Sequence, residues 1–188
     1  MGYGKASAQR RLTMNGRLLL ILACVLAAAF PSCSTRPDFE VLKRFPLEDI
    51  SEVITSNSVS IDTTIVSHGK GSLRIAAAVP TVVRLFETGP LGVDDARLIY
   101  QARLRAGGLK GKVYLEMLVD LPGGKQYFSR GFNSPISEDV DWTTESVPFF
   151  LKKGQTPENI KLNLVIDGTG IIWVDDVQLI KAPLKLVP

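Results

Sequence analysis

The 188-residue chain carries one histidine and two cysteines, and that scarcity bounds its chemistry. His68 stands in the cluster His68-Gly69-Lys70-Gly71, where a solvated loop imidazole is the simpler reading. A single histidine excludes a multi-histidine metal centre and argues against a histidine-dependent nucleophilic triad. Cys24 and Cys33 both fall near the start, so the main body holds no thiol nucleophile. No glycine-rich loop joins a strand to a helix, which removes the usual phosphate cradle. Carboxylates remain: Glu116, Asp120, Glu145 and Asp167 are the pool from which a glycosidase pair would be drawn, although its spacing is a three-dimensional property. Binding is the better expectation, and an enzyme is not expected.

These residues sit in segments with a period of two. Leu98, Tyr100, Ala102 and Leu104 alternate with Ile99, Gln101, Arg103 and Arg105. Leu115, Met117 and Val119 alternate with Tyr114, Glu116, Leu118 and Asp120, and Ile160, Leu162, Leu164 and Ile166 with Lys161, Asn163, Val165 and Asp167. Such alternation marks half-buried antiparallel strands. The turn Pro122-Gly123-Gly124 predicts a hairpin whose second strand runs from Gln126 to Phe132. Further turn clusters at Gly107-Gly108, Lys153-Gly154 and Asp167-Gly168-Thr169-Gly170 punctuate the remainder, predicting an all-β sandwich or barrel. Leu47, Ile50, Val53 and Ile54 suggest one or two helical turns at its start.

The first 33 residues read as an export signal rather than as part of the fold. Lys5, Arg10, Arg11 and Arg17 precede an apolar run from Leu18 to Phe30, which ends at Pro31-Ser32-Cys33. A basic flank, a short apolar run and a small residue before the break make up a cleavable leader. The run is shorter than the ~20 residues a membrane-spanning helix needs. Met14 is an alternative start, giving the more ordinary flank Met14-Asn15-Gly16-Arg17. Cys33 resembles the lipid-attachment cysteine of bacterial lipoproteins, with simple cleavage nearby as the alternative. Pro31 departs from the pattern around such cysteines, whereas Ile21-Leu22-Ala23-Cys24 matches it but follows too little apolar sequence. The expected organisation is a signal peptide over 1–33, a tether over 34–37 and one domain over 38–188. It implies an exported protein of the cell envelope, touching the membrane only through a lipid anchor. Four of the 22 basic residues lie in 1–32, leaving 18 against 19 acidic ones. That balance gives no reason to expect nucleic acid, whose backbone selects clustered Lys and Arg.

Several segments in order resemble the galactose-binding-like jelly-roll domains, the group that includes many carbohydrate-binding modules. They are Phe39-Glu40, Val59-Ser60-Ile61-Asp62, Gly71-Ser72-Leu73-Arg74-Ile75 and the closing Trp173-Val174-Asp175-Asp176-Val177. The resemblance implies an antiparallel β-sandwich of the jelly-roll type and a carbohydrate ligand, and covers nearly all the chain beyond the leader. In a regular strand Trp173, Asp175, Val177 and Leu179 share one face, which puts Trp173 in the core and Asp175 among apolar neighbours. A buried carboxylate is costly unless it is hydrogen-bonded or metal-bound. The resemblance implies a structural calcium held by Glu40 and Asp175; a carboxylate satisfied by loop N–H groups is the favoured alternative.

Sugars are bound by an aromatic plate for the ring and polar groups for its hydroxyls. Gln101, Arg103, Tyr114 and Glu116, joined by Tyr127, Arg130 and Asn163, are the candidates, although a solvated outer sheet face has the same signature. Trp142 follows Asp139 and Asp141 and is either a stacking aromatic or a packed one. The expectation is a non-catalytic, envelope-anchored domain whose ligand is a glycan. The alternative is a structural lipoprotein docking on another envelope protein.

Overall fold

The computed structural model describes residues 39–184. The leader, Cys33 and the tether lie outside the described residues. Eight strands are formed: β1 (Glu40–Phe45), β2 (Val59–Asp62), β3 (Ser72–Ala77), β4 (Thr81–Thr88), β5 (Ala96–Leu121), β6 (Lys125–Arg130), β7 (Val140–Leu151) and β8 (Asn159–Pro183). Among the described residues there is no helix.

Two strands, β5 and β8, run for 26 and 25 residues, about four times the usual length, and pair antiparallel from end to end. Their outer ends, Ala96–Gly107 and Ile171–Pro183, carry one layer: β1 and β3 add beside β8, β2 beside β3, and β7 beside β5. Their inner ends, Lys110–Asp120 and Asn159–Thr169, carry the second, with β4 beside β8 and β6 beside β5. Across the interior, Phe45 of β1 stacks on Phe86 of β4 with ring centroids 4.2 Å apart. The protein is an antiparallel β-sandwich.

The glycine clusters expected to separate strands instead bend them. The β5–β8 register slips between Gly107 and Lys110, and the two backbones then cross at Gly111 and Gly168. A Cβ on Gly111 (φ +122°) would lie 2.2 Å from the Asp167 carbonyl oxygen, and one on Gly168 2.0 Å from that of Lys110. Only glycine permits that approach. The chain thus crosses from one layer to the other without leaving the hydrogen-bond ladder.

The period-two reading of the core holds. Leu98, Tyr100, Leu104, Leu115, Met117, Leu162, Leu164 and Ile166 are buried in one cluster. Each aliphatic side chain removed from water in this way contributes on the order of 1.5–3 kcal/mol. The expected helical turns over 47–54 are absent: the segment forms one turn, with the Val53 N–H donating to the Ile50 carbonyl at 3.1 Å. Leu47 and Val53 are buried while Ile50 and Ile54 stay exposed. So short an isolated stretch cannot sustain a helix.

The closing strand also departs from its regular reading. Between Arg103 and Gln101 on β5, opposite Asp175 and Gln178 on β8, β8 carries one extra residue, and Asp176 takes a φ of +46°. This bulge reverses the side-chain phase. Val174, Val177 and Leu179 belong to the core cluster and Trp173 does not; Trp173 and Asp175 share the outer face of the first layer.

Candidate functional site

Three sequence candidates meet on the outer face of the second layer. Glu116 of β5 stands opposite Asn163 of β8 on one side and Arg130 of β6 on the other. The row follows from the turn Pro122-Gly123-Gly124, which pairs Leu121 with Lys125 and so brings Arg130 level with Glu116. Asn163 Nδ2 donates to Glu116 Oε1 at 3.0 Å, and Arg130 Nε donates to Glu116 Oε2. Although this face looks away from the core, Glu116 is only 5% exposed and Asn163 4%. The Glu116 carboxylate is matched by both neighbours. Asn163 Oδ1 has no partner, an unusual state for a buried amide oxygen.

Aromatic rings frame the row. The Arg130 guanidinium lies 4.4 Å from the ring centre of Phe128 and 5.5 Å from that of Phe132. Tyr114, two residues before Glu116 on the same face, packs against Phe132 with centroids 4.7 Å apart. Burial raises the Tyr114 phenol above its ordinary range, its largest cause ahead of the opposing effect of Arg130. Phe128 and Phe132 are 60% and 55% exposed, so their outer surfaces are open to a ligand. Beside Tyr114 a cavity of about 290 Å³ continues along the face, lined by Thr81, Val82, Val165 and Asp167.

The remaining candidates fall elsewhere. Tyr127 pairs with Val119, so the pleat turns it to the side of the sheet opposite Glu116; Phe128 takes the outward place. Neither Phe128 nor Phe132 was among the sequence candidates, and the register of the 121–125 turn was the signal that would have found them. Gln101 and Arg103 lie on the outer face of the other layer, opposite Gln178 and Asp175, because β5 changes layer between Arg103 and Tyr114. Arg103 Nη2 donates to the Trp142 carbonyl at 3.0 Å.

Glu40 and Asp175 do not meet. Glu40 pairs with Lys181 in the ladder and accepts from its ammonium at 3.2 Å, six residues along β8 from Asp175. Asp175 Oδ2 accepts from the backbone N–H groups of Ser67 and His68, each at 2.8 Å, and Oδ1 from that of Asp176 at 2.7 Å. The loop N–H groups thus satisfy this buried carboxylate. Among the described residues no group of three or more His, Cys, Asp and Glu side chains is placed to hold a metal.

Trp173, expected in the core, is buried at 8% exposed but stands on the outer face of the first layer, apart from the main cluster. Its indole N–H donates to Asp62 Oδ2 at 2.9 Å, and Arg105 lies 5.7 Å from its ring centre. The indole, then the Ile65 and Thr64 N–H groups, hold the Asp62 carboxyl far below the usual carboxylate range.

The carboxylate pool is dispersed. Glu116 belongs to the row just described, and Asp120 engages Gln126 and Lys161. Glu145 is on β7 of the other layer, and Asp167 is at the crossing of β5 and β8.

No protein-family model matches the sequence, and no curated protein matches it. Solved structures do. The family 22 xylan-binding domain from Paenibacillus barcinonensis superposes with a TM-score of 0.53 at 11% identity, over 78% of this chain and 97% of that one. The likeness is one of fold. A Clostridium thermocellum endo-1,4-β-xylanase, carrying a family 22 binding module and complexed with xylohexaose, gives 0.53 at 12%, over 74% of this chain and 28% of that one. An arabinose-bound α-L-arabinofuranosidase gives 0.50 at 11%, over 75% of this chain and 25% of that one. The protein has a β-sandwich of the carbohydrate-binding-module type, a fold that by itself does not fix an activity.

Proposed function

We propose that this domain binds a carbohydrate without transforming it, on the outer face of the second layer. The reading is carried by the row Asn163–Glu116–Arg130, with its unpartnered Asn163 Oδ1, set between the open rings of Phe128 and Phe132. The aromatic rings offer apolar plates to a sugar ring. Asn163 Oδ1 accepts a hydroxyl proton, and the terminal nitrogens of Arg130 donate to hydroxyl oxygens. Because Arg130 balances the charge of Glu116, the row suits an uncharged, hydroxyl-rich ligand. The structural neighbours include a xylan-binding domain and a xylanase complexed with xylohexaose, which makes neutral plant polysaccharides the first class to try. The dispersal of the carboxylates supports binding over hydrolysis. Cys33 serves as the lipid attachment point, holding the domain at the cell envelope.

Affinity electrophoresis in gels containing xylan, β-glucan, mannan or galactan tests the reading. Retardation is expected in at least one gel. Phe132→Ala is expected to weaken it by about three- to tenfold, the equivalent of ~0.5–1.5 kcal/mol for one aromatic contact, while leaving the melting temperature unchanged because the ring is more than half exposed. Free migration in all four gels, or a Phe132→Ala variant as retarded as the wild type, overturns it.

A further inference from the structure

The first layer has a cleft of its own on the opposite side of the sandwich, and the row around Glu116 takes no part in it. Its volume is about 360 Å³, within the ~300–1,000 Å³ of small-molecule sites. Arg105 and Gly107 of β5, Trp173 of β8 and the segment Asp139–Asp141 line it. Three observations distinguish it from an ordinary outer face.

The first is the placement of Trp173. The bulge at Asp175–Asp176 sets the phase of β8 so that this large apolar ring lies on the polar side of the sheet. The bond to Asp62 fixes its orientation.

The second is Gly107, on the same face and next to Trp173. A Cβ here would stand 3.4 Å from Cζ3 and 3.7 Å from Cη2 of the indole. Trp173 is only 8% exposed, and glycine keeps this edge of the ring at the wall of the cleft instead of beneath a side chain.

The third is the distribution of polar atoms. Asp141 Oδ1 accepts from Arg105 Nη1 and from the Trp142 N–H, both at 2.8 Å. Asp139 Oδ1 accepts from the Leu109 N–H at 2.8 Å. Asp141 is thereby anchored through Oδ1 and keeps Oδ2 for a ligand, while the Gly108 and Leu109 N–H groups hold the Asp139 carboxylate at the rim. The Arg105 guanidinium, held over Trp173, supplies donors beside them.

We infer that this cleft is a second saccharide site, which seats one sugar unit with its hydroxyls toward Asp139, Asp141 and Arg105 and its C–H edge against Trp173. Two carboxylate acceptors and one guanidinium, with an apolar ring edge between, match the alternating hydroxyl and C–H surface of a pyranose. The ligand class rests on the carbohydrate reading above, but the site does not share a residue with the first. The domain is then bivalent, with sites on its two outer faces, and can bridge neighbouring chains or bind one polymer with avidity.

The test is calorimetric stoichiometry and tryptophan emission for the whole protein with xylohexaose, cellohexaose, mannohexaose and galactotriose. Wild type is expected to take two equivalents of at least one probe, with a change in emission. Gly107→Val, which fills the cleft, should leave one equivalent and abolish the emission change. Asp141→Ala, whose carboxylate side chain is 81% exposed, should do the same without depending on the fold tolerating a larger residue at 107. Phe132→Ala should instead keep two equivalents, weaken one of them about three- to tenfold and leave the emission change intact. If both cleft variants retain two equivalents, or Phe132→Ala removes all binding, the second site is overturned and the first stands. Silence toward all four probes in the wild type overturns both.

Discussion

Replacing Gly111 with alanine tests the crossing of β5 and β8 on which both outer faces depend. The backbone at Gly111 has a φ of +122°, and holding a non-glycine residue in such a conformation costs on the order of 1–3 kcal/mol. The added methyl would stand 2.2 Å from the Asp167 carbonyl oxygen and 2.8 Å from the Gly168 Cα. Both are backbone atoms, so no side chain can rotate away and the strands must part locally. Losing one or two ladder hydrogen bonds adds about 1 kcal/mol each. The expected loss is about 2–5 kcal/mol, which for a domain of this size lowers the melting temperature by roughly 4–20 °C. Thermal unfolding followed by circular dichroism measures it. Gly89→Ala is the control, because no atom lies within 4 Å of its added Cβ and its φ is not positive. A melting temperature for Gly111→Ala within 2 °C of wild type would refute the claim that the strands cross here at glycine-only separation.

Other outcomes follow from single groups. The Tyr100 hydroxyl is fully buried without a partner, so Tyr100→Phe should raise stability by about 1 kcal/mol; a destabilised variant in urea titration would contradict this. The Asp62 carboxyl is depressed in the folded protein, above all by the Trp173 indole. Its stabilising contribution is therefore complete above the ordinary carboxylate range near 4 and is lost as pH falls toward the folded value. Asp62→Asn should flatten the decline in unfolding free energy between pH 5 and 2.5, and an unchanged slope would count against the contact. Burial raises Glu145 above 4.5, so the folded state holds this proton more tightly than the unfolded chain. Its effect turns unfavourable as pH rises past that value. Glu145→Gln should gain stability at pH 7 and none at pH 3; equal effects at both would show that burial is not the cause.

The alternating pattern was legible because each core residue from Leu98 to Leu104 and from Ile160 to Ile166 keeps its phase in space. The row around Glu116 was half legible for the same reason: Tyr114, Glu116 and Asn163 occupy alternate positions on long regular strands. Tyr127 was misplaced because the phase of a hairpin's second strand depends on its turn register, and composition does not encode that register. Gln101 and Arg103 were grouped with Glu116 because periodicity along β5 cannot reveal that the strand changes layer at Gly107–Gly111. The double aspartate at 175–176 reads as regular alternation, yet it absorbs an extra residue through the positive φ of Asp176. One bulge reverses the side on which Trp173 lies, so the ring is buried on the outer face of the first layer and not in the cluster between the layers.

The two layers are the opposite ends of one pair of strands, and this governs how the molecule comes apart. Neither sheet can detach as a separate cooperative unit, since fraying of β5 from β8 on one side advances, residue by residue, into the other. A ligand held at either of the proposed sites would therefore load the same continuous pair of strands.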